Sequence, residues 1–253
     1  MQLGFGAGIL YGIQTADASG AAVANATPVQ FGTLQDISGD ISFEEKLLYG
    51  SYQFPIAVGR GKGKLSFKAK QAAISGAILG DLLFGTGRSA AIKNVVENFA
   101  AAVPGVSTYI ITITPPSSGT FVTDLGVINA TTALPFKKVA SGPTAGQYSV
   151  AGAVYTFAAA DANAAVLISY EYSAVSTSAQ TGAITNQIMG YAPTFAALLH
   201  MSFQGKPFTL KLNQCVSSKF SLPLKNDDFA VPEFDFSAFA DGAGNIGYWA
   251  TSE

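Results

Sequence analysis

Two pairs of adjacent carboxylates, Glu44-Glu45 and Asp227-Asp228, one histidine, His200, and one cysteine, Cys215, are the side chains best suited to acid–base, nucleophilic or metal chemistry. Neighbouring residues on a strand point to opposite faces, so Glu44 and Glu45 cannot work together as general acid and base. Asp227 and Asp228 fall between two strand candidates, and two loop carboxylates lack the further oxygen ligands that calcium takes. His200 lies in an apolar strand candidate, with no second histidine to complete a metal set or a triad. It is expected to be structural. A lone cysteine excludes an intrachain disulfide and a cysteine-built metal site, and Cys215 is expected to be buried. Arg60-Gly-Lys-Gly-Lys64 misses the spacing of a phosphate loop, and Gly4-Phe-Gly-Ala-Gly8 misses that of a dinucleotide turn. The first reads as the start of a strand and the second as a terminal segment that orders on assembly. The expectation is therefore a protein that is not an enzyme, with no catalytic, cofactor-binding or metal site.

Hydrophobic residues make up 49% of the 253 positions and charged residues 12%, about half the usual charged share of roughly 25%. So little charge implies either a surface rich in Ser, Thr, Asn and Ala or one buried in good part against other chains, and the second, favoured reading would make assembly part of stability. The net charge of −2 argues against a protein that grips nucleic acid, because such proteins neutralise phosphates with excess Lys and Arg. The start of the chain is apolar, but its first basic residue is Lys46, so no signal peptide is expected. No apolar run approaches the roughly 20 residues of a membrane helix.

The elements that would position these residues are mostly strands. From Asp36 to Glu44 the residues alternate, with Ile37, Gly39, Ile41 and Phe43 on one face and Asp36, Ser38, Asp40, Ser42 and Glu44 on the other. Gly63–Lys70 alternates again, with Leu65, Phe67 and Ala69 opposed to Lys64, Ser66, Lys68 and Lys70. Pairing these two strands would set opposite charges against each other. Between them, residues 46–59 carry Gly50 and Pro55 and read as a long loop or extended arm. Leu47, Leu48, Tyr49, Tyr52, Phe54 and Ile56 make this arm too apolar for a solvated loop, so a partner surface is their natural place. Residues 71–84 are the best helix candidate, with Ile74, Ile78 and Leu82 in line and Gly85 placed to stop it. Residues 96–180 turn poor in charge and rich in Ala, Ser, Thr, Val and Gly. Short strand candidates there, at 107–114, 147–157 and 165–172, suggest a small inserted β domain. Strands resume at 194–203, 208–213, 216–222 and 231–239.

This order of pieces resembles bacteriophage major tail tube proteins. The match rests on Pro28-Val-Gln-Phe-Gly-Thr-Leu-Gln-Asp-Ile-Ser and on Leu48-Tyr-Gly-Ser-Tyr-Gln-Phe-Pro-Ile-Ala-Val-Gly-Arg-Gly-Lys-Gly-Lys, followed by the helix candidate ending Leu83-Phe-Gly. It continues through Gly146-Gln-Tyr-Ser-Val and Tyr155-Thr-Phe-Ala-Ala-Ala-Asp to Pro232-Glu-Phe-Asp-Phe-Ser-Ala-Phe-Ala-Asp-Gly-Ala-Gly-Asn. The resemblance implies a mainly β, tail-tube type β-sandwich or split barrel with one flanking α-helix. Residues 1–95 and 181–253 would form the tube domain, with an assembly arm at about 44–60 and the helix at about 71–84. Residues 96–180 would form an inserted outer β domain. The resemblance also implies homo-hexameric rings stacked into a tube, a place in the virion tail after assembly in the host cytoplasm, and tape-measure, tail terminator and baseplate proteins as neighbours. DNA would pass through without being tightly bound, no membrane would be involved, and no cofactor is implied.

A duct for a polyanion works best with a polar, neutral-to-acidic lining, because clustered Lys and Arg would release counterions and hold the phosphates. On this reading Asp36, Ser38, Asp40, Ser42 and Glu44 face the channel. Lys64, Lys68 and Lys70 would share that face, and must either be neutralised in pairs or be turned toward ring contacts. Low charge and Ser/Thr/Gly-rich strands also suit a virion-borne adhesin or receptor-binding β module, the alternative function.

Overall fold

The computed structural model describes residues 4–252, so Met1–Leu3, the start of the segment read against a signal peptide, and Glu253 lie outside the described residues. The described residues form a mainly β protein, 53% strand and 6% helix, with three sheets among them. In chain order the strands are β1 (Ile9–Ala16), β2 (Val29–Gln30), β3 (Leu34–Tyr49), β4 (Pro55–Gln71), β5 (Ala91–Ala102), β6 (Ile110–Thr112), β7 (Thr120–Asn129) and β8 (Lys137–Lys138). They continue with β9 (Gln147–Ala151), β10 (Val154–Phe157), β11 (Ala165–Val175), β12 (Thr194–Phe203), β13 (Lys206–Ser221), β14 (Glu233–Phe239) and β15 (Gly247–Thr251). Two compact units divide them, Met1–Arg88 with Gly182–Glu253, and Ser89–Thr181. The first boundary therefore falls at 88/89 instead of 95/96. The reason is β5, whose residues from Ala91 onward pair along β11 inside the inserted unit.

The discontinuous unit holds one antiparallel sheet in the order β2-β1-β12-β13-β14-β4-β3, with β15 also paired to β13. The sheet is open. It curls until Leu10 of β1, next to one end of the strand order, and Ile37 of β3, at the other end, line the same small gap with Phe67, Leu212 and Phe236. Alternation explains what fills the concave side, since Phe67 and Ala69, Phe234 and Phe236, and Phe195 and Ala197 are all spaced by two and all buried. Phe31 packs edge-on to Phe234 with centroids 5.3 Å apart, and Phe67 stacks on Phe236 at 5.3 Å. Each fully buried phenylalanine contributes about 1.5–3 kcal/mol by burial.

The expected α-helix at 71–84 is corrected to a short π-helical segment, Ile78–Leu83. β4 runs on through Ala69 to the buried Gln71, whose N–H donates to Pro232 O, so the first residue of the candidate is strand and 72–75 are bend and irregular chain. Gly76 and Gly80 weaken the helical tendency of the remainder. Ile78 and Leu82 are nevertheless both fully buried against the sheet, as their spacing requires. Gly85 ends the segment at φ 64, where a Cβ would stand 2.7 Å from Ala18 N.

The inserted unit pairs β5-β11-β7 in one sheet and β6-β10-β9-β8 in another. Its own core joins both sheets, with Val166, Ile168, Tyr170 and Tyr172 from β11 and Tyr148, Tyr155 and Phe157 from the second sheet. The strand candidate at 107–114 shrinks to three residues in β6, and 147–157 splits into the β9–β10 hairpin around Gly152 at φ 58. The candidates 208–213 and 216–222 prove to be one strand, β13, and 194–203 coincides with β12.

Candidate functional site

β3 and β4 pair antiparallel, setting Asp36 opposite Lys70, Ser38 opposite Lys68, Asp40 opposite Ser66 and Ser42 opposite Lys64. β14 extends the ladder, with Glu233 opposite Lys70 and Asp235 opposite Lys68, and β13 adds Lys219 opposite Asp235. Because Ile37, Phe67, Ala69, Phe234 and Phe236 fill the opposite face, these polar groups line one solvated surface. Lys68 Nζ donates to Glu233 Oε1 at 2.9 Å, Lys219 Nζ lies 3.6 Å from the same oxygen, and Lys70 Nζ lies 3.8 Å from Asp36 Oδ2. The hydrogen bond from Lys68, with the fields of Lys68, Lys219 and Lys70, outweighs burial and holds the Glu233 carboxyl below its usual range. The same bond and the fields of Glu233 and Asp235 push the Lys68 ammonium up. Asp235 Oδ1 is enclosed without a hydrogen-bond partner among the described residues.

Asp36, Ser38, Asp40 and Ser42 form one exposed column, and Glu44 continues it past an irregularity at Phe43/Glu45, where it meets Lys46 at 3.1 Å. The column is not purely acidic, because lysines of β4 stand beside it.

Beyond the body of the sheet the same two strands run on as a hairpin. Lys46 pairs with Gly59, Leu47 with Val58, Leu48 with Ala57 and Tyr49 with Pro55, so of the two readings of 46–59 the extended arm holds, and the loop is replaced by two strands around a turn at 50–54. Pro55 is tolerated as the first residue of its strand, where no ladder N–H is required. Two glycines of β4, Gly61 and Gly63, are places that cross-strand side chains cover. A Cβ on Gly63 would stand 3.0 Å from the Phe43 ring, and one on Gly61 would meet Lys46 and Glu44. The Arg60 guanidinium lies 4.5 Å from the Phe43 ring centroid, a cation–π contact. Leu47, Leu48, Tyr49, Tyr52, Phe54 and Ile56 are all exposed, Tyr52 at 83% and Phe54 at 80%.

The residues first suspected of chemistry are dispersed. Nδ1 of His200 lies 3.1 Å from Thr209 Oγ1 across the β12–β13 ladder. Cys215 is fully buried, which pushes its thiol up to about 12. Asp228 accepts the N–H of Phe229 in an exposed loop. Arg60–Lys64 lies inside β4, not before a helix. Among the described residues, no three or more His, Cys, Asp or Glu are grouped to hold a metal ion, and no helix is long and apolar enough to cross a membrane.

One polar cluster escaped the sequence reading. Asp124 of β7 accepts from Tyr148 Oη at 2.8 Å, Tyr155 Oη at 3.0 Å, the Gly126 N–H at 3.1 Å and Lys138 Nζ at 3.0 Å. Burial pushes its carboxyl up, but the four donors together hold it below the usual range. Burial and the Asp124 charge push both phenols far up. The cluster holds an ionised acid among un-ionised phenols, a structural arrangement with no group poised to exchange protons near neutrality. Its members come from four strands, so no local motif announces it.

The chain matches no protein-family model and no curated protein. Fold and surface define a class, a mainly β protein whose largest sheet presents an ion-paired polar face and ends in an exposed apolar hairpin.

Proposed function

We propose that the chain is the building block of a bacteriophage tail tube, with hexameric rings stacked into a conduit for DNA during ejection. The observation that carries this reading is the hairpin. Six large apolar side chains of the arm are exposed, and none of the arm residues belongs to the core of its own chain. A protein that leaves such a patch in water is unstable against association, and a copy of the same chain is the partner always at hand. The open sheet adds to this, because its unpaired edges favour pairing with another chain. In the assembled tube the column Asp36, Ser38, Asp40, Ser42 and Glu44 lines the channel, the inserted unit stands outside, and the tube joins tape-measure, terminator and baseplate proteins in the virion.

Electron microscopy of the purified protein tests the reading, with long hollow tubes or stacked rings as the expected result. Monomers that persist at high concentration would overturn it. A map of the assembled particle with residues 36–44 turned outward would sink the channel assignment alone.

A further inference from the structure

The polar face of the large sheet is balanced across its strands. Lys64, Lys68, Lys70 and Lys219 stand among Asp36, Asp40, Glu233 and Asp235, and further along β3 Glu44 is met by Lys46, so five cations stand against five carboxylates. Glu233 has the largest share in this balance, since Oε1 meets both Lys68 at 2.9 Å and Lys219 at 3.6 Å. Its side chain is 19% exposed, whereas those of Lys68 and Lys219 are 44% and 57% exposed. Both lysines are thus within reach of a passing phosphate, yet both are already engaged by an acceptor that the β4–β14–β13 ladder holds in place. Lysine gives a duplex affinity by replacing condensed counterions on its phosphates. A lysine that must first leave a carboxylate contributes less.

We infer that Glu233 masks Lys68 and Lys219, so that duplex DNA passes over this face without being held. Non-adhesion then comes from internal ion pairing and not from an excess of negative charge. The inference rests on the reading of this face as a channel lining and replaces an acidic wall with a self-neutralised one.

Binding of a fluorescent mixed-sequence DNA duplex to the full-length protein tests the mask across a series of salt concentrations. Wild type is expected to bind weakly. Glu233→Gln should bind several-fold to about tenfold more tightly at low salt, and its log K against log salt should steepen by about one to two. Adding Lys68→Gln and Lys219→Gln to that variant should abolish the gain. Asp36→Asn, which releases Lys70, should give a smaller gain of the same sign and serves as the test if Glu233→Gln does not fold. A folded Glu233→Gln with wild-type DNA affinity, or a gain that survives loss of both lysines, overturns the mask. Microscopy of the same samples keeps the two ideas apart. Tubes without any DNA gain in the variant defeat the mask alone, and a DNA gain in protein that never assembles defeats the tube alone.

Discussion

An enclosed carboxylate persists in a β-sandwich only where donors surround it, and Asp124 has four, two of them phenols that are themselves buried. Asp124→Ala leaves the Tyr148 and Tyr155 hydroxyls enclosed without an acceptor, whereas Lys138, about half exposed, returns to water. Each stranded hydroxyl costs about 1–3 kcal/mol, so with two of them the variant should lose about 2–6 kcal/mol in urea denaturation followed by tyrosine fluorescence. The sign of the pH dependence is set by the lowered folded-state pKa. The stabilisation is fully present above the unfolded-state value of about 3.9 and is lost as pH falls through the folded value. Wild type should therefore hold a plateau near neutrality and weaken in acid below about pH 4, and Asp124→Asn should flatten that acid limb. An acid limb equally steep in both proteins would assign it to other carboxylates.

Among the elements, β3 and β4 show most plainly what periodicity can and cannot say. The alternation at Asp36–Glu44 and Lys64–Lys70 anticipates the faces of both strands, because period two is a local property. Of the expected charge pairs across them only Asp36 with Lys70 forms, whereas Ser38 and Ser42 stand opposite Lys68 and Lys64, and Lys68 finds Glu233 of β14 instead. Where alternation fails, at Gly59-Arg-Gly-Lys-Gly63 and around Pro55, the strands nevertheless continue in register, and side chains of β3 such as Phe43 and Glu44 cover Gly63 and Gly61. That compensation is tertiary and leaves no trace in spacing. β5 and β7 are hidden from periodicity because bulges opposite Ser169–Tyr172 shift their register, which scrambles the alternation that would reveal them. The arm also yields a test that separates folding from assembly. Deleting residues 46–58 and closing the hairpin with a short turn removes no member of either core. The shortened chain should keep its strand circular dichroism and melt within a few degrees of wild type, because surface changes away from the core usually stay within about 0.5 kcal/mol. It should form no tubes. Normal tubes from this variant would mean that another surface joins the copies.

The whole molecule is two cores threaded by one chain. The apolar cluster of the discontinuous unit contains no residue of the insertion, and the insertion's cluster contains none of the other unit. The fall in charge after about residue 96 signals the insertion, but composition cannot place the boundary at Ser89, because β5 opens with residues that suit either unit. At the point of entry Ser89 and Thr181 exchange two backbone hydrogen bonds of 2.9 and 3.0 Å, so the chain leaves and returns through neighbouring positions roughly 5.5 Å apart. A short Gly-Ser link from Arg88 to Gly182 spans that gap, with about 3.8 Å between consecutive Cα atoms. Each unit should then fold alone. The isolated 89–181 fragment should unfold in a single cooperative transition, as domains of this size do when they own a complete core. The linked remainder should keep its own transition, because every phenylalanine around Phe234 stays in place. If the insertion stands outside the tube, the remainder should also assemble into narrower tubes with the same axial repeat in electron micrographs. A remainder that folds but forms no tubes would give the insertion a part in joining the copies, and a fragment with no cooperative transition would show that the two cores depend on each other despite sharing no side chain.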